Sequence, residues 1–233
     1  MESHPLIERL RLLRRDLGSL LFHFARKPDQ NVPADKRGSM WLAENASSVL
    51  TKIISEGKLR GSSNKIRGGY QCVCFTESPI TELAATFSMV KIAANHTQHT
   101  RYEPYGVAVR KEWLFSLGGR PVIYQPDVEY DLLPEDLRYR HVHYDPNKGI
   151  DFTWEREWRI QIDHLILDPR ETLVIVPTAS EAFDVMYDNS TLELNSVDDE
   201  GNPDDVYHKP RWMALSLDFF GFDKNLSDSQ ERI

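Results

Sequence analysis

The chain has 233 residues, 40% hydrophobic and 10% aromatic, which is enough apolar material for one domain with a substantial core and too much for a disordered tail. Its formal net charge of -8 disfavours nonspecific nucleic-acid binding through phosphate neutralisation. No apolar run approaches the ~20 residues of a membrane span, and the start, Met1-Glu2-Ser3-His4-Pro5, lacks the basic-then-apolar order of a signal peptide, so the chain reads as cytoplasmic without a membrane partner.

Residues 7–21 carry apolar side chains at helical spacing among arginines, and Leu21-Phe22-His23-Phe24-Ala25 then reads as a short strand followed by a polar loop. A helix is expected from about Met40, with Leu42, Ala46, Val49, Leu50, Ile53 and Ile54 on one face, stopping at the left-handed cap Gly57. Residues 70–76 form a strand, and Ser78-Pro79 opens the next helix as N-cap and N1, with Ile80, Leu83, Ala84, Phe87 and Val90 as its apolar stripe. Strands follow at residues 105–110 and 120–124, separated by a short helix over 111–117 that Gly118-Gly119 closes, and a last central strand is expected at 173–176. The acidic, Asn- and Gly-containing stretch 188–205 reads as a loop, and the end from Asn225 as fraying. The elements are thus those of a single α+β domain over 1–233, with an N-terminal helix at 1–19, a core at 20–187 and a C-terminal appendage at 188–233.

The two cysteines, Cys72 and Cys74, fall on one face of a single strand, a geometry unsuited to a bridge, and read as buried reduced thiols. Gly68-Gly69 and Gly118-Gly119 lack the further residues of a phosphate loop or a dinucleotide fingerprint, and no serine has a Gly-x-Ser-x-Gly setting. The chemistry-bearing stretch is Glu155-Arg156-Glu157-Trp158-Arg159, between Trp154 and Ile160-Gln161-Ile162. On a regular strand Trp154, Trp158, Ile160 and Ile162 face a core, while Glu155, Glu157, Arg159 and Gln161 share the other face. Two carboxylates about 7 Å apart can divide roles, one stabilising a developing cation and the other orienting a nucleophile. The alternative is an ordinary strand with a wet polar face.

In their order, the segments Leu21-Phe22-His23-Phe24-Ala25, Ile53-Ile54-Ser55-Glu56-Gly57-Lys58-Leu59, Val73-Cys74-Phe75-Thr76-Glu77, Tyr105-Gly106-Val107-Ala108-Val109 and Glu155-Arg156-Glu157-Trp158-Arg159 resemble ADP-ribosyltransferase-fold proteins. More narrowly they resemble abortive-phage-infection proteins of the AbiG type, over residues 20–177. The resemblance implies a split, mostly antiparallel β core flanked by helices, and an intracellular effector of toxin or anti-phage type. Such an effector would cleave NAD, as substrate, and pass ADP-ribose to a macromolecular acceptor, protein or nucleic acid. It also implies site roles. His23, with Arg26 as alternative, would hold the adenosine-side ribose or phosphate of NAD, and Thr76, with Tyr70 as a substitute, would meet the nicotinamide ribose. Glu157 would stabilise the oxocarbenium-like centre while Glu155 orients the acceptor.

Bland readings stand beside these: a buried, backbone-satisfied His23, and Thr76 as a strand-end cap. A noncatalytic nucleotide- or partner-binding module, antitoxin-like, is the competing class, and an antitoxin or other regulatory protein is the further partner expected of the effector. His141 and His143 on a short strand, with His96 or His99, are candidate metal ligands without a completed set. Arg138-Tyr139-Arg140, with Arg156 and Arg159, would suit base stacking, and His141, His143 and Arg159 would be needed for an RNA nuclease.

Overall fold

The computed structural model describes residues 18–25, 45–90 and 103–223, so Arg26, His96, His99, the stretch 1–17 and the expected helix start near Met40 lie outside the described residues. Strand β1 (Leu20–Phe24) is followed by α1 (Ala46–Glu56), the short β2 (Lys58–Arg60), β3 (Cys72–Thr76) and α2 (Ile80–Val90). Then come β4 (Gly106–Arg110), α3 (Lys111–Ser116), β5 (Arg120–Pro121), β6 (Ile123–Gln125) and β7 (His141–His143). The chain continues with β8 (Glu157–Gln161), β9 (His164–Ile166), β10 (Thr172–Val176), α4 (Ala179–Asp188), β11 (Ser190–Val197), β12 (Pro203–Pro210) and β13 (Met213–Ser216).

Seven strands form one sheet in the order β13-β10-β4-β1-β3-β8-β5, antiparallel throughout except for the parallel β10–β13 pair. The α+β, mostly antiparallel architecture is as expected. The split is not: β1 bridges β4 and β3 through Phe22, which pairs with both Ala108 and Thr76, so the sheet is continuous. In chain order β10 is the last central strand, as expected. The C-terminal stretch adds β13 beyond it and seals Trp212 in the core, with the indole N–H donating to the Ile54 carbonyl at 3.2 Å.

Alternation along the strands assigns the two faces. On one face Leu21, Val73, Phe75, Val107, Val109, Trp158, Ile160, Val174 and Val176 pack with the apolar stripe of α1 and with Ala182 of α4. On the other, Phe22, Phe24, Ala108 and Ile175 meet Leu83, Ala84 and Phe87 of α2, and Leu217 and Phe222. Each fully buried aliphatic side chain contributes roughly 1.5–3 kcal/mol, so both layers are needed to hold the sheet. The helix ends follow local chemistry. Asn45 accepts the Ser48 N–H at 2.8 Å, and Gly57 adopts φ 64 and donates to the Ile53 carbonyl, the expected left-handed stop. Thr178 and Glu181 close a reciprocal capping box on α4.

Three local readings change. Residues 120–124 break into two short strands, β5 and β6, which join different sheets. Residues 188–205, expected as a loop, contain most of a long antiparallel hairpin, β11–β12, whose turn is tied by Asp198: its carboxylate accepts the Glu200 and Asn202 amides. Gly201 at φ 84 supplies the left-handed residue of that turn. The expected strand 154–162 starts only at Glu157.

Candidate functional site at one end of the sheet

Residues Thr153–Glu155 form a 3-10 turn, and Arg156 leaves it at φ 45, a left-handed backbone that an arginine adopts only when its surroundings impose it. Asp151 opens the turn by accepting both the amide and the hydroxyl of Thr153, at 2.9 and 2.6 Å. The end of β3 clamps it: the Thr76 hydroxyl donates to the Glu155 carbonyl, and the Ser78 hydroxyl donates to the Trp154 carbonyl at 2.6 Å. Thr76 Oγ1 in turn accepts the Ser78 amide at 3.1 Å. Thr76 is therefore a strand-end clamp, and Ser78, expected to cap α2, faces the turn instead.

This turn breaks the alternation on which the carboxylate pair depended. Trp154 is half exposed and Ile162 lies at the margin of exposure, so of the four expected core residues only Trp158 and Ile160 are buried. Glu155 precedes the strand and does not share a strand face with Glu157. Glu157 and Arg159, two apart on β8, do share one. Their side chains form a two-pronged ion pair, with Arg159 Nε donating to Oε1 at 2.7 Å and Nη2 to Oε2 at 3.1 Å. Side-chain exposures of 13% for Glu157 and 6% for Arg159 put the pair in the interior. Nη1 of Arg159 donates to the carbonyls of Tyr139 and His141, both at 2.9 Å, so the guanidinium also binds the 120–150 segment to the sheet.

Tyr124 completes this corner. Its phenolic oxygen accepts the Glu157 amide at 2.9 Å, and burial, with the Glu157 and Glu155 carboxylates nearby, pushes the phenol up to about 12. Beside it, burial raises Cys72 to about 11, and burial reinforced by the Glu157 carboxylate raises Cys74 well above the ordinary thiol value. Both cysteines are free and share one strand face, as expected, but that face is the one of Glu157 and Arg159 and Cys74 is only partly buried; both are protonated at neutral pH.

The remaining site residues are dispersed. Phe22, Thr76 and Glu157 face each other across β1, β3 and β8 on one side of the sheet, which places His23 on the opposite side. There its ring packs edge-on against Phe75, and Nδ1, as the protonated nitrogen, donates to the Cys74 carbonyl at 2.8 Å. Tyr70 precedes β3 and is half-buried near Tyr130; burial and that tyrosine raise its phenol. The structure thus brings Thr76 and Glu157 together, takes Glu155 off the strand face of Glu157 and sets His23 on the other side of the sheet.

Residues not anticipated include Glu77, which continues the core-facing alternation of Val73 and Phe75. Its carboxylate accepts the Trp158 indole N–H at 2.8 Å and pairs with Lys111 at 2.5 Å. His141 is buried against Tyr130, with Nε2 lacking a hydrogen bond, and burial depresses its pKa. Asp127 stands 3.1 Å from His143 Nδ1 and takes Arg67 at 2.9 Å. Among the described residues no cluster of three His, Cys, Asp or Glu is arranged to hold a metal ion, and no helix is long and apolar enough to cross a membrane.

No protein-family model, curated protein or solved structure matches the chain.

Proposed function

We propose that the chain is a noncatalytic binding module, an antitoxin-like partner of another protein in the toxin or phage-defence setting that the resemblance above implies. The observation that carries this reading is the state of Glu157. A carboxylate that stabilises an oxocarbenium-like centre acts through charge aimed at the reacting carbon. Here both oxygens are engaged by a guanidinium that is itself anchored to two carbonyls. The position of His23 across the sheet supports the same reading.

A second reading, an NAD-cleaving ADP-ribosyltransferase with a macromolecular acceptor, draws its support from the cross-strand pairing of Thr76 with Glu157. Nicotinamide release and a thermal-shift titration into millimolar NAD separate the two. The binding module gives no release and no rise in melting temperature. A rise with NAD but not ATP, together with release that Glu157→Gln abolishes, would replace the module by the enzyme.

A further inference from the structure

The hairpin β11–β12 has two unlike faces. On one, Glu193 accepts the Tyr207 hydroxyl at 3.0 Å and pairs with Lys209 at 3.0 Å, a closed polar network. On the other, the register sets Leu192 opposite His208 and Leu194 opposite Val206. That face continues onto α4, because the His208 ring lies 4.6 Å from Tyr187, which stacks on Phe183. Phe183, Tyr187, Leu192, Leu194 and Val206 are exposed by 49–64%. Hairpins of two strands are marginal in water unless their apolar face is covered, and five large apolar side chains in one band exceed scattered surface residues.

The charge around this band selects the occupant. Asp198, Asp199, Glu200 and Asp204 gather at the turn end of the hairpin, where residues 197–206 contain no lysine or arginine. A second copy laid face to face would set these carboxylates against their own kind, a juxtaposition that opposes association. A membrane surface, commonly anionic, is disfavoured for the same reason. A polypeptide segment with an apolar stripe flanked by lysine or arginine satisfies both the apolar band and the acidic rim.

We infer that the face formed by α4 and the β11–β12 hairpin docks a basic amphipathic segment of a partner polypeptide, an inference that rests on the binding-module reading. The apolar band supplies the buried centre and the acidic turn supplies orientation and a salt-dependent on-rate.

The test is fluorescence anisotropy of the full chain with three labelled helical peptides of about five turns. One carries a leucine stripe flanked by lysines, one the same stripe flanked by glutamates, and one the lysines with the leucines replaced by serine. The leucine–lysine peptide binds, and its affinity falls as salt is raised. Phe183→Ser combined with Leu192→Ser weakens it by about tenfold or more, as expected for loss of a buried anchor pair. Asp199→Asn, Glu200→Gln and Asp204→Asn together weaken it through the rim alone, and these exposed positions leave the fold intact as judged by the melting temperature. Equal binding of the glutamate peptide, or binding unchanged in both variants, overturns the inference. A sedimenting dimer that Phe183→Ser with Leu192→Ser dissolves also overturns it, in favour of a second copy. NAD turnover by the same preparations would refute the binding-module reading whatever the peptides do, whereas absent turnover with absent peptide binding refutes the docking face alone.

Discussion

Two glutamate–cation pairs occur in two different places, Glu157–Arg159 within the seven-stranded sheet and Glu193–Lys209 across the hairpin, at 2.7 and 3.0 Å. The first has side-chain exposures of 13% and 6%, the second 38% and 59%. In the interior, each charge removed from water must be matched by its partner and by neighbouring carbonyls, so the pair is a structural tie whose failure is costly. On the hairpin, water screens both groups and competes for them, so the pair orders side chains without holding the fold. Similar chemistry thus has opposite consequences, and burial decides which.

The sharpest way to break this contrast is Arg159→Met. It strands a carboxylate in the interior and leaves the carbonyls of Tyr139 and His141 without their donor, so a loss of about 3–5 kcal/mol is expected in urea unfolding. Glu157→Leu combined with Arg159→Met is expected to be more stable than Arg159→Met alone, because no buried charge remains; a double variant that is less stable would show that the pair contributes more than mutual neutralisation. Next in size is Thr76→Val, which removes the donor to the Glu155 carbonyl and the acceptor for the Ser78 amide. A loss of about 1–3 kcal/mol is expected by the same measurement.

A pH effect of smaller size is expected from His141. Burial depresses its folded-state pKa below the ordinary 6.5, while Asp127 and a backbone contact at Pro126 act in the opposite sense and Arg67 and His143 add to the depression. The unfolded chain therefore binds the extra proton first, so stability falls as pH drops below 6.5. Urea midpoints compared between about pH 7.5 and about pH 5.5 should decline, and the decline should shrink in His141→Gln. The smallest effect belongs to the hairpin: Lys209→Ala should leave the midpoint unmoved, and a clear drop would show that exposure there is lost in solution, as covering by a partner or a second copy would cause.

Much of the scaffold was legible because its signals are local. The stripe Ala46, Val49, Leu50, Ile53, Ile54 with Gly57 behind it specifies a helix and its stop, and the runs around Phe22, Phe75 and Val107 specify strands by composition and alternation. Two further local signals were there to be read. Asp151 and Thr153 mark the turn that breaks the expected strand, and Thr178 with Glu181 marks the start of α4. The hairpin was masked by its acidic composition, although Leu192 and Leu194 alternate ahead of an Asp-Glu-Gly-Asn turn.

By itself the sequence determined which segments are apolar enough to pack and which face each presents, since periodicities of 2 and 3.6 residues are properties of neighbours along the chain. Only the tertiary structure decided how the carboxylates stand. The turn that Asp151 opens is held against the sheet by hydroxyls 79 and 76 residues away in sequence, on Thr76 and Ser78, which bind its carbonyls. Arg159 takes Glu157 as a partner because carbonyls 20 and 18 residues distant hold the guanidinium in place. His23 faces away from both because one strand register, Phe22 against Thr76, fixes the side of the sheet on which it falls. Such contacts join residues far apart in the chain, and no local spacing encodes them.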